Sequence, residues 1–355
     1  DINNDERQKA MEVAHRLGHV SMQDMARFAL QAAGKQVSVN NETNIRSAMS
    51  GGDLLPIFTS NVHARMMASF VEADDTTVGW CASDDVPNFK LNDRTTASKS
   101  GGLKKIGRGG VAEHTDFEAT TESFRIARYG DKFTVDEQDF IDDSFGALNA
   151  VMPEDMGAAA GQLRPDLVYS LLLANPNLDA TGGALFAASR NLFSGLSMDK
   201  ASLESLITNM ANQRDNNRPI NAKLRYLILP PDLYFKALVL INSADTADAN
   251  NIGTMNSLKS QGITVISESR IGTEGVFDPD AEVQRTGSAT SWYTAGQPGQ
   301  NNAQTCLVAY RSGTMRSPQI RSYTLSQGQW GMGWDVAMDI GAKPLHWRFL
   351  QKATA

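Results

Sequence analysis

Regular spacings of apolar residues predict a β-ribbon that leads into a long helix within residues 117–176. Phe124 and Ile126, and then Phe133 and Val135, lie two residues apart, which is the period of an exposed or half-buried strand. From Pro153 onward the spacing changes to three and four residues, through Met156, Ala159, Ala160, Leu163, Leu167, Leu171 and Leu172. That spacing predicts a helix of about 35 Å with one buried stripe.

The N-terminal residues have the pattern of an arm. The segments DERQKAMEVAHRLGH and SMQDMARFALQAAG each predict a short helix, and the second begins at Ser21 and ends at Gly34. Residues 34–54 are rich in Asn, Ser, Gly and Thr, with little to bury. We therefore predict that residues 1–58 become ordered by lying on another surface. An amphipathic helix capped by Ser60 follows, with Val62, Met66, Met67 and Phe70 facing inward.

Residues 82–130 predict a long hairpin with a glycine-rich, basic tip. Two ribbon-like segments, ASDDVPNFKLNDRTTAS and HTDFEATTESFRIARYG, flank KSGGLKKIGRGG. Because such arms bury little, the hairpin would not be stable alone in water and needs a neighbour. A surface loop without a partner is the alternative, and the residue order of a phosphate-binding P-loop is missing. The residues predicted to contact a neighbour are Gly101, Gly102, Lys104, Lys105, Arg108, Gly109 and Gly110.

The pattern after residue 176 predicts a helix and then a separate α/β unit. DKASLESLITNMANQRD predicts a helix with Leu203, Leu206, Ile207 and Met210 on one side. Within residues 219–315, KLRYLILPP, GITVISE, SWYTA and TCLVAYR predict strands, and PDLYFKALVLIN predicts a helix that begins at its proline. The tail, residues 316–355, predicts two or three strands that return to the long helix and cover its apolar stripe.

Composition narrows the classes of function. The 355 residues are 41% apolar, which is enough for two or more compact units with real cores. A formal net charge of −7 argues against general affinity for nucleic acid. The sequence contains no run of about eighteen apolar residues, so it predicts no membrane span. Cys81 and Cys306 fit no paired motif, so we expect two buried thiols and a reducing compartment.

No group of residues has the spacing of a catalytic site. The G-x-S-x-G and H-E-x-x-H patterns are missing, and the glycines of GQWGMGW do not fit a dinucleotide-binding turn. Glu113, His114 and Asp116 are the best acid–base cluster. Ordinary solvated polarity explains them better, because nothing around them predicts a pocket. We therefore expect no enzyme activity and no cofactor.

A metal site is also not predicted. His15 and His19, with Glu12 one turn earlier, have the spacing of ligands on one face of a helix. The sequence offers no clear further ligand, so an exposed helix face is the better interpretation.

Taken in order, these segments resemble the tailed-phage major capsid proteins of the Hong Kong 97-type fold, and more narrowly the Mu-like major head subunit family. The segments that carry the resemblance are LKKIGRGG, ESFRIARYGDKFTVDEQDFIDDSFGAL, LRPDLVYSLLLANP, GGALFAASRNLFSG, LRYLILPPDL, SWYTAGQP and MDIGAKPLHWRFLQK. They cover most of the chain after residue 55, in the order of the family. Two features depart from it: the tip is basic where more acid would be expected, and the arm matches nothing.

The resemblance implies an α+β protein with five parts. These are an N-terminal arm (residues 1–58), a peripheral domain (59–81 and 131–218) with a spine helix at about 153–175, an extended loop (82–130), an axial α/β domain (219–315) and C-terminal return strands of the peripheral domain (316–355).

The resemblance also implies a function. The protein would be a major capsid protein that self-assembles, as pentamers and hexamers, into the icosahedral shell around the double-stranded DNA genome of a tailed bacteriophage. It would enclose DNA without sequence-specific binding, contact no membrane, and be found in the virion after assembly in the host bacterial cytoplasm. Portal, scaffold, protease and decoration proteins are further partners that the family allows.

Two other classes remain open. A shell protein of a cellular nanocompartment has the same fold but would enclose an enzyme instead of DNA. A carbohydrate-active or hydrolytic α/β enzyme would need a pocket.

Two residue-level predictions follow from these patterns. The basic tip is predicted to contact acidic positions on a neighbouring subunit, with Asp136, Glu137 and Asp139 as candidates. Leu163 and Leu167 are both predicted to be buried, so a carboxylate at either position would prevent folding.

Overall fold

The computed structural model describes residues 22–50, 54–99, 105–111, 117–142, 151–215, 218–243, 245–248, 251–298, 305–314, 316–326 and 331–355. The helices are α1 (Met22–Ala32), α2 (Asn41–Ser50), α3 (Leu54–Glu72), α4 (Glu137–Asp142), α5 (Val151–Ala174), α6 (Lys200–Ala211) and α7 (Pro231–Asn242). The strands up to residue 255 are β1 (Ala82–Val86), β2 (Asn92–Lys99), β3 (Phe117–Phe124), β4 (Ala127–Asp136), β5 (Leu192–Ser194), β6 (Arg214–Asp215), β7 (Arg218–Pro219), β8 (Leu224–Leu229), β9 (Asp245–Asp248) and β10 (Asn251–Met255). The remaining strands are β11 (Thr264–Ser267), β12 (Val276–Asp278), β13 (Val283–Arg285), β14 (Ser291–Gly296), β15 (Cys306–Arg311), β16 (Gln319–Thr324), β17 (Gly331–Pro344) and β18 (Leu350–Thr354). This mixture of helices and mainly antiparallel strands confirms the predicted α+β class.

The described residues belong to two compact units. The first unit contains Asp1–Asp75, Ala127–Arg164 and Tyr310–Ile340, and the second contains Thr76–Ile126, Pro165–Ala309 and Gly341–Ala355. The boundary falls within α5, β15 and β17, so these elements contribute residues to both units.

The first unit is built on three antiparallel strands, with β17 between β4 and β16. Because side chains alternate along a strand, Phe133 and Val135 share one face with their partners Trp334 and Met332. The rings of Phe133 and Trp334 stack with their centroids 4.9 Å apart. This inner face carries the hydrophobic core of the unit.

The N-terminal helices cover one end of the inner face. Their buried residues, which pack with Val135, Met332 and Trp334, are Met25, Ala26, Ala29, Leu30, Ile45, Ala48 and Val62. The expectation that residues 34–54 have little to bury is therefore wrong, because α2 places Ile45 and Ala48 in this core. The helix that was predicted to begin at Ser60 begins at Leu54, so Ser60 lies inside α3 and does not cap it.

The predicted spine helix is confirmed as α5, which ends at Ala174 and is followed by Asn175 with a positive φ of 51°. The side-chain amide of Asn175 closes this end by donating to the backbone oxygen of Phe186 (3.0 Å) and accepting from its nitrogen (2.6 Å). An Asn is well suited to this position, because its short polar side chain tolerates left-handed backbone and bonds locally.

The first half of α5 buries a different face from the one predicted. Gly157 and Gly161 are buried against α3, where a Cβ on Gly157 would overlap the backbone oxygen of Met66 and one on Gly161 would overlap Ala73. Consequently the predicted stripe is only partly covered here: Ala159 is exposed and Leu163 half-buried. In the second half the prediction is confirmed for Leu167 and Leu172, which are buried, whereas Leu171 is half-buried.

The second unit is built on a five-stranded sheet in the order β11-β8-β14-β18-β5. Helices α6 and α7 begin where predicted. The carboxylate of Asp199 caps α6 by accepting a hydrogen bond from the backbone nitrogen of Ser202 (2.8 Å), and Pro231 lies in the first turn of α7. The core of this unit includes Leu203, Leu206, Met210, Leu227, Leu229, Trp292 and Ala353. The predicted α6 face and the predicted strands β8, β11 and β14 are confirmed.

Two strands have partners that differ from the prediction. The last strand, β18, was expected to cover the spine helix, but it pairs antiparallel with β14, from Leu350 opposite Ala295 to Thr354 opposite Ser291. The TCLVAYR strand, β15, was expected in the α/β unit, but it lies next to β1 outside that sheet. Cys81 and Cys306 are free and buried, as predicted.

An ionic network around the buried carboxylate of Glu268 holds the second half of α5 within the second unit. Arg270 donates to Asp166 (2.5 Å) and to Glu268 (2.9 Å), and Thr76 donates to the second oxygen of Glu268 (2.6 Å). Burial raises the pKa of Asp166, while the contact with Arg270 opposes that rise. Since each carboxylate has a hydrogen-bonded partner, the burial of these charges is compensated.

The contact between α3 and α5 can be tested with Gly157→Ala. Alanine favours helix by up to about 1 kcal/mol, but the added carbon would overlap a backbone atom of α3 that no side-chain rotation can move. We expect a net loss of about 1–3 kcal/mol in the free energy of unfolding, measured by thermal denaturation of the purified protein. Gly107→Ala is the matched control, because nothing lies within 4 Å of its added carbon. An unchanged melting temperature for Gly157→Ala would contradict the close helix contact.

The two leucines predicted to be buried are now expected to behave differently. Leu167 is 4% exposed, so a carboxylate there would cost several kcal/mol and consume much of a stability of about 5–15 kcal/mol. Leu163 is half-buried beside open space, so its carboxylate can reach water. We expect Leu167→Asp to give insoluble protein and Leu163→Asp to give a soluble subunit with cooperative thermal unfolding. Equal behaviour of the two variants would refute this assignment of the helix faces.

Candidate assembly surfaces

The predicted hairpin is present in part, with β2 and β3 as its two arms. The outer ends of the predicted arms are not part of it, because β1 lies next to β15 and β4 pairs with β17. The two arms pair antiparallel in regular register from Asn92 opposite Phe124 to Lys99 opposite Phe117. Polar side chains face each other across it, as in the contact between the hydroxyls of Thr95 and Thr121 (3.2 Å). Leu91, at the start of the first arm, is exposed. Backbone pairing therefore holds the arms together along their length, and Phe124 at the end of the second arm packs into a hydrophobic cluster with Val86 and Ile126.

The base of the hairpin is fixed within its own unit. The buried carboxylate of Glu122 accepts from the backbone nitrogens of Asp179 (3.0 Å) and Ala180 (2.9 Å). Lys343 donates to Asp179 (3.0 Å), and the backbone nitrogen of Ser123 donates to the same carboxylate (3.1 Å). These contacts lower the pKa of Asp179, and the hydrogen bond from Lys343 has the largest effect. The hairpin thus leaves the unit from a rigid base.

The tip makes no such contacts over residues 105–111, the part that the structure describes. Lys105, Arg108, Gly109 and Gly110 are exposed there, whereas Gly101, Gly102 and Lys104 lie outside the described residues. The backbone nitrogen of Gly110 donates to the oxygen of Gly107 (2.9 Å) in a turn that places Gly109 at a φ of +82°. Two aliphatic side chains are also exposed in this segment, Ile106 at 53% and Val111 at 92%. The tip therefore presents both positive charge and apolar surface.

The acidic positions predicted to receive the tip lie at the start of α4, and they have partners within their own unit. Glu137 forms an ion pair with Arg46 (3.1 Å) and is only 12% exposed as a side chain. The carboxylate of Asp136 accepts a hydrogen bond from the backbone nitrogen of Gln138 (2.9 Å). The carboxylate of Asp139 accepts one from the backbone nitrogen of Asp136 (3.3 Å). Asp136 and Asp139 remain exposed, so two of the three candidates are still accessible.

A groove that the sequence did not predict lies between α5 and the inner face of β4 and β17. It has a volume of about 370 Å³ and is lined by Tyr129, Met156, Ala159, Ala160, Leu163, Val336 and Met338, with Asp131 and Asp155 at its border. We call it the spine groove. The signal for it was in the sequence, because four of these residues belong to the predicted apolar stripe.

The opposite face of the same strands is charged. A concavity of about 470 Å³ includes Arg128, Lys132, Arg321 and Asp335. Its most buried member is Asp339, which accepts two hydrogen bonds from Arg128 (2.7 and 2.9 Å) and one from Arg311 (3.2 Å). The pKa of the Asp339 carboxyl is lowered, and the hydrogen bonds from Arg128 have the largest effect. Arg128, Arg311 and Asp339 therefore form an ion-pair cluster at the centre of this charged face.

The candidates for catalysis and metal binding are outside the part of the chain that the structure describes. This holds for Glu113, His114 and Asp116, and likewise for the helical set of Glu12, His15 and His19. Among the described residues, no three His, Cys, Asp or Glu side chains are close enough to hold a metal ion. No described helix is both long and apolar enough to cross a membrane.

Several known proteins are similar to this chain. One is the structure of the asymmetric unit of the bacteriophage PhiM1 mature capsid, whose sequence is 10% identical to this one. The superposition covers 79% of this chain and 87% of that chain, with a TM-score of 0.51. The capsid of the cyanophage P-SCSP1u is 11% identical, with coverages of 78% and 86% and a TM-score of 0.49. A virus-like particle from Pyrococcus furiosus is 9% identical, with coverages of 82% and 96% and a TM-score of 0.46. No curated protein matches the sequence.

The likeness to the PhiM1 capsid concerns the fold, which is the α+β Hong Kong 97-type capsid fold. The family model described as Phage capsid protein matches residues 119–353. This range includes most of the second arm of the hairpin, the whole spine helix and nearly all residues of the two large sheets except β1. The chain therefore belongs to the phage capsid protein family.

Proposed function

We propose that this protein is the major head subunit of a tailed bacteriophage and that its copies assemble, as pentamers and hexamers, into an icosahedral shell around double-stranded DNA. The family to which it belongs is a class of structural proteins and not of enzymes. Within that family, the ordered segments from LKKIGRGG to MDIGAKPLHWRFLQK favour the Mu-like major head subunits.

The observation that carries this proposal is the contrast between the two ends of the hairpin. Its base is held by buried Glu122 and by Lys343, while Ile106 and Val111 at its tip are exposed. A rigid projection with an apolar and basic end is suited to contact a second molecule. When the contacting surfaces on two copies differ, the association is head-to-tail and closes into rings or shells.

In this proposal the tip residues contact a neighbouring subunit. These residues are Gly101, Gly102, Lys104, Lys105, Arg108, Gly109 and Gly110. The exposed carboxylates of Asp136 and Asp139 are acceptors for the basic members, and each exposed pair contributes only about 0–1 kcal/mol. Glu137 is a poorer candidate than the sequence indicated, since it pairs with Arg46 of its own chain. Many weak contacts summed over a shell would still favour assembly.

The shell would enclose the DNA without binding it tightly. Tight binding of DNA needs several Lys and Arg contacts to phosphate, whereas the subunit has a net charge of −7. We propose that the inward surface of the shell is neutral or acidic, that assembly takes place in the cytoplasm of the bacterial host, and that portal, scaffold, protease and decoration proteins are its other partners.

Electron microscopy of the purified protein tests the proposal directly. We expect negatively stained particles with icosahedral outlines, and particles from the native source that contain double-stranded DNA. Particles that contain an enzyme instead would identify a cellular nanocompartment. A protein that stays monomeric in sedimentation at high concentration would contradict the proposal.

The role of the tip can be tested by deleting residues 101–110. Because the base of the hairpin is fixed independently of the tip, we expect the variant to keep the melting temperature of the unassembled subunit but to form no closed shells. A replacement of the same ten positions by Gly and Ser is the control for loop length, and it should fail in assembly as well. Normal shells from either variant would exclude the tip as an assembly contact.

A further inference from the structure

The two cysteines of the chain lie at the start of two neighbouring strands. Cys81 immediately precedes β1, and Cys306 is the first residue of β15. These strands are adjacent at one edge of their sheet, and both cysteines belong to the second compact unit. Both side chains are buried thiols, with Cys81 5% exposed and Cys306 0% exposed. Whether the two sulfurs can meet depends on the direction and the register of the two strands.

A hydrogen bond at the same end of both strands fixes their direction. The hydroxyl of Thr305 donates to the backbone oxygen of Trp80, so the residues that precede the two cysteines are in contact. Both of these residues lie just before the start of their strands. Adjacent strands that start at the same end run parallel. In an antiparallel pair, Trp80 would instead lie near the far end of β15.

A shared hydrophobic cluster shows which faces of the two strands match. It contains Ala82 and Val86 of β1 together with Leu307 and Ala309 of β15. Side chains alternate along a strand, so these four residues define one face of the strand pair. In each strand the cysteine comes one residue before the first member of this set. The same alternation therefore places both thiols together on the opposite face.

We propose that Cys81 and Cys306 form an intrachain disulfide bond under oxidising conditions and that this bond locks β1 to β15. The contact between Thr305 and Trp80 places these two positions level with each other, so the next residue in each strand is level too. Neighbouring strands lie about 4.7–4.9 Å apart, and the Cα atoms of a disulfide are about 4.4–6.8 Å apart. The parallel register thus brings the two cysteines within bonding range.

The reaction is a thiol–disulfide exchange in which a small disulfide, for example glutathione disulfide, is the oxidant. Cys81 reacts first, because β1 is the edge strand and can open locally, whereas β15 lies inside the sheet. Its thiolate attacks one sulfur of the small disulfide, which forms a mixed disulfide and releases one thiolate. The thiolate of Cys306 then attacks the sulfur of Cys81 and displaces the second thiolate. The two protons lost by the cysteines pass to the released thiolates, so one protein disulfide forms as one small disulfide is reduced.

The bond would stabilise the subunit by restricting its unfolded state. A disulfide removes more conformational freedom from the unfolded chain when it closes a longer loop. The loop from Cys81 to Cys306 contains the spine helix and four of the five strands of the large sheet in the second unit. A subunit assembled in the bacterial cytoplasm would keep its thiols reduced, and a released virion would meet oxidising conditions. This use of the bond rests on the proposed function, whereas the bond itself concerns the single chain.

Oxidation of the purified, reduced full-length protein tests the proposal. The protein would be incubated with glutathione disulfide a few degrees below its melting temperature, and the remaining thiols would then be blocked with N-ethylmaleimide. Peptide mapping by mass spectrometry without reduction would locate every bond. The chain has two cysteines, and we expect the number of blocked ones to fall from two to none. The peptides that contain Cys81 and Cys306 should be linked within one chain.

Three results would overturn the proposal: two cysteines that remain thiols, glutathione adducts that do not resolve into a protein disulfide, and bonds that form only between chains. Because the bond is located within one chain, it can be found in a protein that forms no shell. Failure of this proposal and failure of the proposed function can therefore be told apart.

A thiol moved by two positions is the matched control for the register. The double variant Cys81→Ala, Ser83→Cys keeps two thiols, and Ser83 is exposed, so the new side chain displaces no core residue. Position 83 lies about 6.6 Å further along β1, which takes its Cα atom beyond the reach of about 7 Å from Cys306. We expect no intrachain bond in this variant. A bond in the variant and none in the native chain would show a different register and overturn the assignment.

Thermal denaturation tests whether the bond locks the strands. We expect the oxidised native protein to melt at least about 3 °C above the reduced protein. Cys306→Ala treated in the same way should show no rise, and Cys81→Ala, whose altered position lies outside the strands, is a second control of the same kind. A melting temperature that does not change when the bond forms would overturn the locking role.

Discussion

The close contact between α3 and α5 determines how the rest of the first unit is arranged. Two glycines one helical turn apart, Gly157 and Gly161, bring the backbone of α5 against Met66 and Ala73 without intervening side chains. Once that face is fixed, the rotation of the helix about its axis is fixed too. The apolar side chains of its predicted stripe must then point beside α3 and not at it. The spine groove is a direct consequence of this rotation.

The same helix has a different environment after residue 165. There Leu167, Val168 and Leu172 are buried, and Asp166 binds Arg270 in the ionic network around Glu268. A single helix therefore presents an open apolar surface along its first half and a mostly buried one along its second. For a capsid protein this division is useful, since the covered half stabilises the fold and the open half remains accessible for further contacts.

The hairpin repeats this division on a smaller scale. Its base is held by hydrogen bonds to the buried carboxylate of Glu122, and its arms are held by backbone pairing. Residues 105–111, the described part of the tip, are exposed and lie outside the core of their own subunit. For the proposed contact of the tip with a neighbouring subunit, weak interactions repeated many times would suffice. The stability of the subunit and the strength of assembly can in this way be set by different residues.

The sequence by itself determined the elements whose apolar period is long and regular: the hairpin arms, the spine helix, α6, and the central strands β8 and β14. It also determined the fold, through segments whose order resembles a capsid family. Tertiary structure alone decided which face of the spine is buried, because glycine has no side chain to register in an apolar pattern. It decided that Leu350–Thr354 pairs with β14, and that Glu137 meets Arg46, because both are contacts between residues distant in sequence. It also decided that α2 is a helix with a buried face, although its own residues are mostly polar. The spacing of apolar residues is a local property, so a short stretch of sequence is enough to reveal it. Which surface a helix or strand packs against depends on all the other surfaces that the folded chain brings together.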